Sequence, residues 1–134
     1  MQNPYQKNLS QYKTLELQSS VENASPHELI NLLLQGARSH INAAKMHIEA
    51  QRIKEKGENI SKAISILDGL INCLNHETGG DIAENLRALY QYTQQILLRA
   101  NLDNNTELLD EANILLTEVH EAWRSIKDVS TEQA

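Results

Sequence analysis

The five histidines are the side chains of this 134-residue sequence best suited to chemistry, because imidazole can bind a metal or relay a proton. A di-iron site within a helical bundle needs a glutamate three residues before a histidine on each of two helices. The positions three residues before the histidines hold no glutamate; they are Ala24, Ala37, Ala44, Cys73 and Thr117. We therefore expect no carboxylate-bridged metal site, and no other metal or cofactor is indicated.

His40 and His47 could still act together, since they lie seven residues apart and so on one face of a helix. Neither comes with a third metal ligand. A histidine phosphotransfer domain usually has lysine and glycine three and four residues after an exposed histidine. Here two alanines follow His40 at those positions, and alanine and glutamine follow His47. The motif is absent, and a phosphotransfer or other signalling adaptor bundle remains only as the alternative function.

The remaining residues indicate neither a catalytic nucleophile nor a nucleotide-binding loop. Cys73 is the single cysteine, and no neighbouring cation would activate its thiol, so we expect it to pack beside the core. Gly79-Gly80 lacks the Lys-Ser/Thr that completes a phosphate-binding loop, and it predicts a helix break instead. These residues give no reason to expect an enzyme.

The composition narrows the class of protein further. Twelve Lys+Arg stand against 18 Asp+Glu, and the formal net charge of -6 arises entirely within residues 102–134. This acidic balance argues against nucleic acid as the main partner, because phosphate binding needs a concentrated basic surface. No apolar run approaches the roughly 20 residues of a membrane span, so no membrane insertion is expected. One cysteine, with no apolar leader in the first residues, favours the cytoplasm.

A strong helix signal begins at Ser25. Ser25, Pro26 and Glu28 have the order of an N-cap, a first-turn proline and the acid of a capping box. Apolar residues then recur at steps of three and four, which predicts an amphipathic helix to about Arg52. A charged connection is expected to follow and to end around Gly57. The apolar stripe of this first helix is Leu29, Leu33, Ala37, Ile41, Ala44 and Ile48.

Three further apolar stripes predict three more helices. The second helix ends at Gly79-Gly80, and the third opens near Asp81. The fourth follows a break at Asn101–Asn105 that is rich in turn residues, where Asn104 is the expected N-cap. The three stripes, in chain order, are Ile60, Ala63, Ile64, Leu67, Leu70, Ile71, Leu74; then Ile82, Leu86, Leu89, Thr93, Ile96, Ala100; then Leu108, Ala112, Leu115, Val119, Ala122, Ile126.

Four amphipathic helices with short connections predict an all-α fold, an antiparallel up-and-down four-helix bundle. The bundle is expected over residues 25–127. Residues 1–24 are polar with scattered apolar side chains, so we expect an N-terminal arm or a short extra helix there. Residues 128–134 predict a polar C-terminal tail. Because the sequence has no phenylalanine, its core must be aliphatic.

Several large apolar residues lie off these stripes or at their edges. They could widen the buried faces or lie under the N-terminal arm. Alternatively, they could form an exposed groove that binds a helix or an extended chain, and the arm could cover that groove until a partner displaces it. The apolar candidates for partner binding are Ile66, Leu70, Tyr92, Leu98, Leu116 and Trp123, and Asn85 is a polar candidate that could hydrogen-bond a guest backbone.

The order and spacing of several segments resemble one known family. The segments are Ala24-Ser25-Pro26-His27-Glu28-Leu29-Ile30, Ser61-Lys62-Ala63-Ile64 with Ile66-Leu67 and Leu70, Glu77-Thr78-Gly79-Gly80-Asp81-Ile82-Ala83-Glu84-Asn85-Leu86, Leu89-Tyr90-Gln91-Tyr92, Leu97-Leu98-Arg99-Ala100-Asn101 and Ala122-Trp123. Together they make residues 12 to 127 similar to the flagellar export chaperone family FliS. The sequence departs from the family in the first helix, where the family commonly has an aromatic residue before Asp/Glu-Gly-Ala and this chain has Leu34-Gln35-Gly36-Ala37. Leu34 is apolar and should preserve the packing. Gln35 replaces the acidic residue, so any charge contact made there would be lost.

The resemblance implies a cytoplasmic chaperone that binds flagellin. The bound part would be flagellin's C-terminal region, which is disordered in the monomer and would otherwise assemble prematurely. The complex would then be delivered to the flagellar type III export gate. The resemblance also makes Tyr12, at the place of the family's N-terminal tyrosine, a partner-binding candidate. The free protein is expected to be a monomer or a weak homodimer.

Overall fold

The computed structural model describes residues 24–74 and 76–126, without the side chains of residues 76–78. These residues form four helices and no strand, so the all-α prediction is confirmed. The contacts within the chain divide it into two units, and residues Ile30–Ile126 form the larger one. The packing of the helices against one another is described within this larger unit. The helices are α1 (Pro26–Glu49), α2 (Ile53–Asn72), α3 (His76–Asp103) and α4 (Thr106–Ser125).

Helices α2 and α3 run antiparallel, as two contacts between them show. Near the start of α2, Lys56 Nζ donates to the carbonyl of Asn101 near the end of α3, at 2.8 Å. Two turns later on α2, the carbonyl of Ile64 accepts from Gln94 Nε2 at 3.1 Å, and Gln94 lies earlier on α3. Residue numbers therefore rise along one helix while they fall along its neighbour.

Helix α1 contacts both α2 and α4, which closes the bundle. His40 Nδ1 lies 2.9 Å from Asn59 Oδ1 on α2. On its other side, Lys45 Nζ lies 2.9 Å from Asp110 Oδ1 on α4. The four helices therefore follow one another around the bundle in chain order, as the up-and-down prediction requires.

The core is aliphatic except for Tyr90, so the prediction of a wholly aliphatic core is met only in part. Leu34 is completely buried, so the leucine at this position does preserve the packing of α1. Each fully buried leucine or isoleucine contributes roughly 1.5–3 kcal/mol of apolar burial. The core cluster is Leu34, Ala37, Ile41, Ala44, Ile60, Ala63, Leu67, Leu70, Tyr90, Ile96, Leu97, Ala100, Leu109, Ala112 and Leu116.

Helix α1 begins where the sequence predicts. Pro26 is its first residue. The backbone N–H of Glu28 donates to Ser25 Oγ at 3.1 Å, which is the N-cap hydrogen bond. The cap satisfies one of the backbone donors that the first turn of a helix leaves without a partner. The predicted position of the cap is confirmed.

The charged stretch after α1 is helical rather than a connection, which corrects the prediction. Helix α1 ends at Glu49, Gln51 turns the chain with a φ of 60°, and α2 begins at Ile53. Lys56 is buried, with only 5% of its surface exposed. Its Nζ donates to the Asn101 carbonyl and, at 2.6 Å, to Asn104 Oδ1. A cation at the C-terminal end of α3 meets the carbonyl groups and the dipole that a helix end presents.

The N-cap of α4 is Asn105 rather than Asn104. Asn105 Oδ1 accepts from the backbone N–H groups of Glu107 and Leu108, at 2.9 and 3.3 Å. Asn104 instead takes a left-handed φ of 50°, which suits a residue that follows a helix C-terminus. Asn104 therefore follows the end of α3, and Asn105 caps the start of α4.

The Gly79-Gly80 pair bends the third helix rather than ending the second. Helix α2 already ends at Asn72, and α3 begins at His76. Gly80 has non-helical dihedral angles, φ 55° and ψ -128°, so the helix axis kinks there. A φ of this sign favours glycine because a side chain would clash with its own backbone. The regular part of α3 therefore starts at Asp81, as predicted.

Candidate partner-binding surface

Two of the expected partner-binding residues lie in the core instead. Leu70 exposes 1% of its surface and Leu116 exposes none. Leu116 shares the buried face of α4 with Leu109 and Ala112, whereas the expected core position Leu115 is only half-buried. The expectation that Leu70 and Leu116 face a partner is wrong. Because α4 packs between α3 and α1, its buried face is centred one residue beyond the apolar stripe read from the sequence.

Ile66 and Trp123 are half-buried and pack against the core. Ile66 faces α1, since its Cδ1 would lie 3.4 Å from a Cβ atom added at Gly36. The glycine therefore permits the close approach of α2 at this point. Trp123 lies near the end of α4 and is only partly accessible. Tyr12 lies outside the described residues.

Asn85, Tyr92 and Leu98 are exposed on α3, so a partner could reach them. They do not share one edge of the helix. Tyr92 faces α4, because its hydroxyl donates to Glu111 Oε2 at 2.5 Å. Leu98 lies one turn after Gln94, which contacts α2, so Leu98 is nearer to that neighbour. The three residues therefore lie on both sides of the outer surface of α3.

Two further exposed apolar residues on α3 escaped the sequence reasoning. Leu102 exposes 83% of its surface and Ile82 exposes 72%. Leu102 falls within the segment expected to be a break, and Ile82 lies on the line of the predicted core stripe. The signal that could have found them is the spacing of Ile82, Tyr92 and Leu102, which are ten residues apart and so drift steadily around the helix. We name Ile82, Tyr92, Leu98 and Leu102 the α3 apolar path.

The α3 apolar path winds around about half of the circumference of its helix, because Ile82 and Leu102 are about 160° apart at 3.6 residues per turn. At a rise of 1.5 Å per residue, the distance from Ile82 to Leu102 is about 30 Å. The kink at Gly80 precedes the path, so the helix that carries it is regular throughout. Exposed apolar side chains spread over such a length favour an elongated polypeptide as ligand rather than a small molecule.

The hydrogen bond between Tyr92 and Glu111 gives the path one polar group. It raises the pKa of the Tyr92 phenol, because the carboxylate accepts the phenolic proton and its negative charge disfavours the phenolate. Tyr90, two residues earlier, is in the core, and burial raises its pKa to about 12. Both tyrosines therefore carry their protons at neutral pH, and Tyr92 can present its ring to a partner while its hydroxyl stays bonded.

Among the candidate reactive residues, His40, His47 and Cys73 lie within the described part of the chain. His40 and His47 are half-buried rather than exposed as phosphotransfer would need. Cys73 is exposed at the end of α2, which corrects the expectation of a packed thiol. No group of three His, Cys, Asp or Glu that could hold a metal occurs in residues 24–74 and 76–126. None of the four described helices is both long and apolar enough to cross a membrane.

A row of polar contacts joins α1 to α4 in addition to the apolar residues that both helices contribute to the core. Asn113 Nδ2 donates to Asn42 Oδ1 at 2.8 Å, next to the ion pair of Lys45 with Asp110. Further along, Arg38 on α1 contacts His120 on α4. We call this row of contacts the α1–α4 seam. It joins α1 to α4, whereas the α3 apolar path lies on α3.

Comparison with known proteins places these features in a family. The family model described as flagellar protein FliS matches residues 7–130. The flagellar secretion chaperone FliSB of Pseudomonas aeruginosa is 42% identical over 120 residues, which cover 90% of this chain and 95% of that protein. The flagellar secretion chaperone FliS of Salmonella typhimurium is 42% identical over 123 residues, 91% of each chain. The Vibrio cholerae FliS is 35% identical over 88% of this chain and 87% of its own.

Proposed function

This chain belongs to the FliS family of flagellar proteins, and from that membership we propose that it is an export chaperone for flagellin. It binds the disordered C-terminal region of flagellin in the cytoplasm and prevents its premature polymerisation. It then delivers flagellin to the flagellar type III export gate. The relatives are named flagellar secretion chaperones, and those names support a partner among the secreted flagellar proteins.

The observation that carries this proposal is the α3 apolar path. Its residues are exposed by 47% to 83%, whereas most of the other large apolar side chains in the described part of the chain are buried or half-buried. A flagellin segment that folds into short helices or extended pieces would cover these side chains over a length of about 30 Å. The free energy of binding then comes from a long apolar contact and offsets the entropy that the guest loses on ordering.

Other candidate contacts extend this surface. Asn85 lies near the start of α3, and Trp123 lies near the end of α4. The guest would reach them if it continued beyond Ile82. Asn85 is exposed and has the amide needed to pair with an extended backbone. Ile66 would contribute only through its accessible part, because it packs between α2 and α1. Tyr12 is proposed as a partner-binding residue from its position in the family pattern. The free chaperone is proposed to be a monomer or a weak homodimer.

Calorimetric titration with the C-terminal segment of flagellin from the same organism tests the proposal. We expect saturable, near one-to-one binding with a large negative heat-capacity change, because apolar surface is buried as the guest folds. Replacing both Leu98 and Leu102 by serine should weaken binding by about tenfold or more. The matched control replaces Met46 and Ile114, which are equally exposed apolar residues on α1 and α4, by serine and should bind as tightly as the unaltered chain. Absence of saturable binding would contradict flagellin as the guest.

A further inference from the structure

The α1–α4 seam opens into a pocket at the end where α4 finishes. The pocket has a volume of about 480 Å³. It lies wholly within Ile30–Ile126, and none of its residues belongs to the α3 apolar path. We call it the seam pocket; its lining residues are Asn31, Gln35, Arg38, Ser39, Asn42, His120 and Arg124. Every one of these side chains is polar, so the pocket is suited to a hydrophilic ligand.

Two guanidinium groups give the seam pocket its charge. Among residues 24–74 and 76–126, neither Arg38 nor Arg124 has a carboxylate within ion-pair distance; the ion pairs there join Lys45 to Asp110 and Lys54 to Glu58. The Nε of Arg38 is buried and has no hydrogen-bond partner among those residues. A buried donor on a charged group is costly to leave without an acceptor, because it has lost its water.

His120 holds one side of the Arg38 guanidinium. The Nη1 of Arg38 lies 2.8 Å from His120 Nδ1, and His120 Nε2 lies 2.8 Å from Asn31 Oδ1. Arginine can only donate, so Nδ1 must accept, and the ring proton is on Nε2, where it bonds to the asparagine oxygen. The imidazole is therefore neutral in this arrangement and adds no negative charge to balance Arg38.

The charges around His120 agree with this assignment. Burial lowers the pKa of His120, and the positive charges of Arg38 and Arg124 lower it further, while Glu121 opposes them. A neutral imidazole beside two arginines leaves the seam pocket with a positive charge. This charge stands out because the α4 part of the sequence is otherwise acidic.

We propose that the seam pocket binds an oxyanion between the guanidinium groups of Arg38 and Arg124. The ligand is either a carboxylate carried by an acidic side chain of a polypeptide or a free inorganic phosphate. Arginine pairs with both groups through two parallel N–H···O bonds, and Arg38 and Arg124 both line the pocket. Ser39, Asn42 and Gln35 offer further polar groups at the wall of the pocket.

Nuclear magnetic resonance of the full chain tests this proposal, with the arginine Nε–H signals as the readout. Inorganic phosphate is one probe, and the peptide acetyl-Gly-Glu-Gly-amide is the other, at constant ionic strength because salt screens both. The peptide acetyl-Gly-Gln-Gly-amide serves as the uncharged control. We expect a saturable shift of the Arg38 Nε–H signal with at least one probe, and the more tightly bound probe identifies the source of the oxyanion.

Two variants show where the probe binds. Arg124 is exposed near the end of α4. The variant Arg124→Gln should bind the probe roughly fivefold more weakly, since one of the two guanidinium groups is removed. Arg87→Gln, exposed on α3 and remote from the seam, should bind as the unaltered chain does. The proposal is overturned if neither phosphate nor the glutamate peptide gives a saturable shift, or if Arg124→Gln binds as tightly as Arg87→Gln. Flagellin binding is measured separately, so either proposal can fail alone.

Discussion

The α1–α4 seam and the surroundings of α3 join helices by different means. Along the seam, side-chain amides, an ion pair and an arginine–histidine contact connect α1 to α4. Around α3, the apolar residues Ile96, Leu97 and Ala100 fill the space between neighbouring helices. Burial of apolar surface supplies most of the folding free energy, whereas polar contacts between helices mainly favour one alignment over others. We therefore infer that α3 stabilises the bundle and that the seam sets its register.

The outer surfaces of the two regions also differ, since one is polar and the other is apolar. The seam presents a positively charged pocket, and α3 presents exposed apolar side chains over about 30 Å. A small anion would be attracted by the first surface, and an amphipathic polypeptide by the second. The molecule therefore has two chemically distinct places for ligands, and each can be altered without touching the other.

The largest loss of stability is expected from a substitution on the buried side of α3. Leu97 is fully buried, and Leu97→Ala should lower the free energy of unfolding by about 2–5 kcal/mol, because it leaves a cavity as well as less apolar burial. Leu102→Ala, on the exposed side of the same helix, should change it by less than about 0.5 kcal/mol. Urea unfolding followed by circular dichroism measures both. Equal effects would contradict the division between core and apolar path.

The next effect is expected at the buried lysine that joins α2 to the end of α3. Lys56→Met removes the donor that Asn101 and Asn104 share, and we expect a loss of about 1–3 kcal/mol. Lys54→Met is the control, since Lys54 is exposed, and should change stability by less than about 0.5 kcal/mol. If Lys56→Met unfolds at the same urea concentration as the unaltered chain, these hydrogen bonds do not hold the helix end.

A smaller and pH-dependent effect is expected in the seam. The pKa of His120 is lowered below its usual 6.5, so the unfolded chain binds more protons than the folded one between the two values. The stability from this group should be full above pH 6.5 and should decrease as the pH falls through that interval. His120→Gln should remove this part of the pH dependence in urea unfolding. A difference between the two proteins that stays constant with pH would refute the neutral assignment of His120.

The smallest effect is expected at the exposed end of the seam. Lys45→Ala breaks the ion pair with Asp110, which raises the pKa of Lys45 but is open to solvent. Exposed pairs of this kind contribute little, and salt weakens them further. In urea unfolding, Lys45→Ala should therefore have less effect than Leu97→Ala, Lys56→Met or His120→Gln, and the effect should shrink as salt is added. A loss as large as that of Leu97→Ala would mean that the seam stabilises the bundle as much as α3 does.

Local sequence signals predicted much of the fold. Ser25 and Pro26 mark the start of α1 because capping depends on residues a few positions apart. The burial of Lys56 could not be predicted in this way, since its partners lie more than 40 residues further along the chain. The charges around it read as a solvated connection, although they form the first turns of α2.

The candidate surface was harder to predict than the helices. Leu116 looked like an outward residue because a single apolar stripe was assigned to α4, yet a helix between two neighbours buries a wider arc. Leu102 was hidden because turn-rich residues follow it, although α3 continues to Asp103. Exposure depends on which helices pack against each face, and periodicity alone does not contain that information.

Methyl chemical shifts during titration with the flagellin C-terminal segment test the central claim most directly. Ile82, Leu98 and Leu102 on α3 can be compared with Met46 on α1 and Ile114 on α4, which are also exposed but lie on other helices. The account predicts that the α3 signals shift and saturate together while those of Met46 and Ile114 stay unchanged. Shifts at Met46 and Ile114 with none on α3 would contradict it and would place the guest beside the seam.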